Sequence, residues 1–97
     1  MTSTQRVLAM GRAISFEQIT LNASTADTLT VPVRIYSCLI TADGANVRWR
    51  ADGGAATSSV GHLLVDGQSI EFFGDDVDSL SIIATTGTPT VAVTYFN

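Results

Sequence analysis

The sequence predicts an all-β fold, an antiparallel β-sandwich with jelly-roll-like character. Three observations carry this. Thirteen Thr, nine Val and seven Ile dominate the 97 residues, and β-branched side chains suit a pleated surface. Asp/Gly turn signals recur along the chain at Asp43-Gly44, Asp52-Gly53-Gly54, Asp66-Gly67, Gly74-Asp75-Asp76 and Gly87. No long stretch holds the i, i+3, i+4, i+7 apolar spacing of an amphipathic helix. Short strands between regular turns are the pattern of a sandwich or barrel.

The elements follow in order. Residues 1–11 hold Arg6 and a short apolar run, Val7-Leu8-Ala9-Met10. They are expected to form an N-terminal arm, and 12–97 a single sandwich domain. Residues 12–21 form a first strand, alternating around Ile14 and Phe16. Residues 31–42 form the longest strand, with Val33, Ile35, Ser37 and Leu39 on one face and Arg34, Tyr36, Cys38 and Ile40 on the other. Pro32 sits near its start, where a missing N–H does least harm. Further strands are expected at 46–51, 62–65, 69–73, 79–85 and 90–96. In the last, Val91, Val93 and Tyr95 point inward.

Composition narrows the function classes. Charged residues make up 14%, against about 25% in typical soluble domains, which suggests that part of the surface is hidden in an assembly. All five basic residues are Arg, and nine acids bring the net charge to −4. Arg is favoured at interfaces, where its weakly hydrated fork pairs and stacks. The negative balance argues against nucleic-acid binding, which needs a basic face. Cys38 is the only cysteine, so no disulfide is expected within the chain. No apolar stretch reaches the roughly 18 residues of a membrane span, and none resembles the core of a signal peptide. Synthesis in the cytoplasm without secretion by that route is expected.

The stretch NVRWRADGG, 46–54, is the most distinctive. Alternation sets Val47 and Trp49 on one face, with Arg48 and Arg50 on the other. Trp49 then anchors the core or a subunit contact. The arginines either pair with acids on neighbouring strands, such as Glu17 or Glu71, or grip an acidic partner or a phosphate. Asp75, Asp76 and Asp78 supply hard oxygen ligands of the kind Ca²⁺ takes, but the spacing does not fit an EF-hand loop. A solvated acidic turn is the preferred reading, and no metal or cofactor is expected. His62 is the only histidine. The chain has no G-x-S-x-G, no H-E-x-x-H and no phosphate loop. A buried mid-strand Cys38 would behave as a small hydrophobe. Catalysis is not expected.

The run ANVRWRADGGAATSSVGHLLVDGQSIEFFG, 45–74, followed by TVAVTYF, 90–96, resembles a widespread type of small bacteriophage structural protein. The residues that carry it are Val47, Arg48, Trp49, Arg50, Asp52, Gly53, Thr57, Gly61, Gly67, Val91, Val93 and Tyr95. The resemblance covers roughly the C-terminal half and departs at Ala56, where proline is usual. It implies a virion component with a β-sandwich or jelly-roll-like fold, and among these a capsid decoration (cement) protein. Such a protein sits on the capsid surface as a homo-oligomer, a trimer by preference, and ties major capsid subunits together. Residues expected at partner contacts are Arg6, Val7, Leu8, Met10, Arg12, Arg48, Trp49 and Arg50. Two rival readings are a neck or tail connector or fibre module of the virion, and a carbohydrate-binding sandwich using Trp49, Tyr36, Phe72 and Phe73. A hydrolase built on His62 ranks last.

Overall fold

A computed structural model describes residues 12–97. Among the described residues the eight strands are β1 (Ala13–Thr20), β2 (Asp27–Thr28), β3 (Ser37–Asp43), β4 (Val47–Arg50), β5 (His62–Leu64), β6 (Ser69–Phe73), β7 (Ser81–Ala84) and β8 (Thr90–Phe96). A one-turn helix, α1 (Asp75–Asp78), lies between β6 and β7. The strands form two four-stranded sheets, ordered β1-β8-β3-β6 and β2-β7-β4-β5, and every pairing is antiparallel. The predicted all-β sandwich is therefore what the chain forms. The first strand pairs with the last, the second with the seventh, the third with the sixth and the fourth with the fifth. This is the order of one long hairpin rolled up on itself.

Alternation builds the core. In β3, Cys38, Ile40 and Ala42 turn inward; in β8, Val91, Val93 and Tyr95 do so, and all six are at most 1% exposed. Val47, Leu64, Ile82 and Ala84 face them from the second sheet, and Leu21, Phe72, Val77 and Leu80 join the same cluster. Tyr95 keeps a polar handle inside. Its hydroxyl donates to Glu17 Oε2, and the same carboxylate oxygen accepts the Thr30 N–H at 3.1 Å. Glu17 thus fastens edge strand β1 to the segment that leads out of β2.

The structure corrects three local expectations. First, the long strand begins at Ser37 and not at 31. Residues 33–34 form a turn, and Arg34 is the one described non-glycine residue with positive φ, at 62°. That conformation costs a side chain of this kind about 1–2 kcal/mol, and Pro32 ahead of it offers no N–H for a ladder. Val33 projects into solvent, 83% exposed. Second, a strand absent from the expectation, β2, pairs Asp27 and Thr28 with Ile82 and Ser81. Third, Ile14 and Phe16 are 40% and 59% exposed. The pairing of β1 with β8 shifts register between Ala13 and Ser15, and the inward residues are Glu17, Ile19 and Leu21.

Candidate interaction surface

The VRWR strand places its side chains on opposite faces, as alternation requires. Trp49 points between the sheets. Its ring meets Phe72 edge-on, with centroids 4.7 Å apart and planes at 82°. It also lies against His62, 4.6 Å away and tilted by 31°. His62 is directly opposite Trp49 in the β4–β5 pairing. Trp49 therefore bridges sheet to sheet with one flank covered by His62, which leaves it poorly suited as a flat platform for a sugar.

Arg48 and Arg50 point outward, and the chain itself takes them up. The Arg48 guanidinium donates from Nε to the Ser58 carbonyl at 3.2 Å and from Nη1 to the Gly61 carbonyl at 3.0 Å. Arg50 donates from Nε and Nη2 to the two oxygens of Asp52, at 3.0 and 2.7 Å, and from Nη1 to the Ala55 carbonyl at 3.3 Å. The acidic partner of Arg50 is thus Asp52, two residues on; the expected candidate Glu17 is engaged with Tyr95 and Thr30. Asp52 Oδ1 also accepts the Gly54 N–H at 3.2 Å. These bonds hold the Asp52 carboxyl down at about 2, chiefly through Arg50, and push the Arg50 guanidinium up.

The effect is to fold the 51–61 loop over the outer face of its sheet. Beneath it, Ser81 Oγ accepts the Ala56 N–H at 3.0 Å, and Thr57 and Val60 close a small bridge. Ile83 and Ser81 stand at outward positions opposite Arg48 and Arg50, yet are only 3% and 7% exposed. Gly61 is required at the end of the loop. Its φ is +135°, and a Cβ there would sit 3.0 Å from the Trp49 carbonyl. Arg50, Asp52, Val60, Gly61 and His62 line a shallow open groove of about 350 Å³.

The remaining expected site residues fall as follows. Arg6, Val7, Leu8 and Met10 lie outside the described residues. Arg12 is exposed at the entrance to β1, and its backbone exchanges hydrogen bonds with Asn97: its N–H donates to Asn97 Oδ1 at 3.4 Å and its carbonyl accepts the Asn97 N–H at 3.3 Å. Asp75, Asp76 and Asp78 belong to α1, and among the described residues no three His, Cys, Asp or Glu side chains gather as a metal site. Cys38 is buried, and burial raises its thiol to about 12, opposed in part by a backbone hydrogen bond from Phe72. It stays protonated at neutral pH. It lies in the core of the first sheet while His62 stacks on Trp49, and no hydrogen bond joins the two.

The sequence offered Tyr36 and Phe73 as sugar platforms but did not single out the exposed turn at Val33 and Arg34. Tyr36 and Phe73, each 45% exposed, meet edge-to-face at 6.0 Å. Ile14, Phe16, Val60, Leu63 and Val65 are further large apolar side chains with 40% exposure or more. No known family model, curated protein or solved structure matches the chain.

Proposed function

We propose that this protein is a structural component of a bacteriophage particle, a capsid decoration protein that binds the head shell as a homo-oligomer and works by adhesion without catalysis. The observation that carries the reading is the rolled-hairpin strand order, β1-β8-β3-β6 over β2-β7-β4-β5. It supports a jelly roll, an architecture used by viral capsid and lectin domains. The resemblance of residues 45–74 and 90–96 to small phage structural proteins favours the virion over the lectin, as does the cover of His62 on Trp49. The exposed apolar side chains supply contact area, worth about 25 cal/mol per Å² before association costs. Binding at many equivalent sites on a shell would add up modest affinities.

The test is the copy number of this chain in purified particles, by quantitative mass spectrometry against the major capsid protein. Hundreds of copies per particle are expected. A dozen or fewer would move the protein to the neck or tail, and none would remove the virion reading.

A further inference from the structure

One end of the sandwich carries an apolar patch with both signs of charge beside it. The loop before β3 presents Val33, 83% exposed, and Arg34. Arg34 makes no ion pair or hydrogen bond among the described residues. Two residues on, the exposed ring of Tyr36 meets that of Phe73 edge-to-face. The Gly74 N–H donates to the Tyr36 carbonyl at 2.7 Å, so α1 starts immediately beside this pair. Its Asp75, Asp76 and Asp78 are all exposed. A groove of about 380 Å³ runs between the 31–35 loop and Val77–Asp78. Arg34 and Asp78 both line this groove and form no ion pair with each other.

We propose that this patch is a two-fold contact between two copies of the chain. Arg34 of each copy would reach the α1 carboxylates of the other, and Val33, Tyr36 and Phe73 would pack at the centre. The argument for a second copy is charge complementarity. A two-fold interface uses the same surface on both partners and must complement itself. A groove that carries a cation and a carboxylate not paired with each other, beside exposed apolar side chains, meets that condition when turned on itself. The contact deepens the homo-oligomer part of the proposed function and rests on that reading only there. It names a pair where the resemblance implies a trimer.

The experiment is light scattering on the full chain at about 100 µM, roughly a hundredfold above a micromolar dissociation constant. The expected mass is twice that of the 10.2 kDa chain, falling as ionic strength rises and the screening length drops from about 8 Å to about 3 Å. Two variants are then compared, Arg34→Glu and Asp78→Arg. Each alone sets like charges against each other and is expected to raise the dissociation constant at least about tenfold. Their equimolar mixture restores both contacts and is expected to regain the mass of a pair. That recovery excludes misfolding as the cause of the loss. A head-to-tail trimer cannot recover in this way, because an odd ring always keeps one like-charged contact.

A monomeric full chain, a trimer, variants that associate like the parent, or a mixture that stays monomeric would each overturn the proposal. Those outcomes would leave the apolar patch to a capsid protein or to the chain's own N-terminal segment. A salt-sensitive pair formed by a chain missing from virions would keep this contact and refute the decoration role.

Discussion

Replacing Arg48 by Met tests whether the 51–61 loop is held by its guanidinium. Met keeps much of the aliphatic stem and removes the donors to the Ser58 and Gly61 carbonyls. The Ser58 bond is exposed, so water replaces it at little cost. The Gly61 bond is part-buried, and a hydrogen bond from a charged group contributes about 1.5–3 kcal/mol. The expected loss is therefore about 2 kcal/mol. For a domain of this size that lowers Tm by roughly 8–16 °C. If the loop also lifts, Ile83 beneath it regains solvent and the loss grows by up to about 3 kcal/mol. A thermal melt gives the first quantity. Hydrogen exchange at the Ala56 amide, bonded to Ser81 Oγ beneath the loop, and at the Val60 amide, bonded to Thr57 within it, gives the second. Arg48→Lys should fall between the two, since one compact ammonium cannot span two carbonyls as the fork does. A Met variant that melts with the parent and shows unchanged exchange at both amides would refute the clamp.

Gly61→Ala should destabilise by about 1–3 kcal/mol, because φ +135° is essentially closed to a side chain; equilibrium unfolding in urea measures it, and a neutral result would contradict the loop geometry. Tyr95→Phe removes a donor from Glu17 but leaves the Thr30 N–H in place, so a loss of about 1–3 kcal/mol is expected, read from the same unfolding curves. Asp52 sets a pH dependence. Its folded carboxyl is lowered from 3.8 to about 2, so its contribution is present above about pH 4 and is lost as pH falls through 2. The Tm gap between the parent and Asp52→Asn should thus be open at neutral pH and closed near pH 2, and a gap that persists there would assign Asp52 no such role.

The sequence was legible where alternation and turn chemistry agree. Strands 69–73 and 90–96 match β6 and β8, and 46–51 overshoots β4 by one residue at each end. Three features were hidden for different physical reasons. β2 has two residues, too few for any period. The break at Arg34 lies within a run rich in apolar residues, and neither Arg nor Val announces a positive φ. The inward parity of β1 is that of Glu17 and Ile19, so Phe16 faces out by plain alternation, and Ile14 sits at the shift in register between Ala13 and Ser15. The faces of VRWR were readable. The loop that closes over its outer face was not, because that contact depends on where residues 51–61 return in space.

The arginine-only composition looked like a signal for an interface, and the structure divides that signal. Arg48 spans two carbonyls, and Arg50 spans a carboxylate and a carbonyl. Both need the planar fork with its several donors, and a lysine could not replace either without losing acceptors. Their choice over Lys is explained within the chain. Arg12 stands by the Arg12–Asn97 backbone tie that joins the first and last strands at their ends. Neither Arg12 nor Arg34 has a side-chain partner among the described residues, and Arg34 also holds a costly backbone conformation. An exposed residue of that kind gains nothing for its own fold from being arginine. The inference from composition to partner therefore rests, among the described residues, on Arg34 much more than on the VRWR motif that first draws the eye. A substitution that spares folding and still changes association is to be sought at the 33–34 turn before β4.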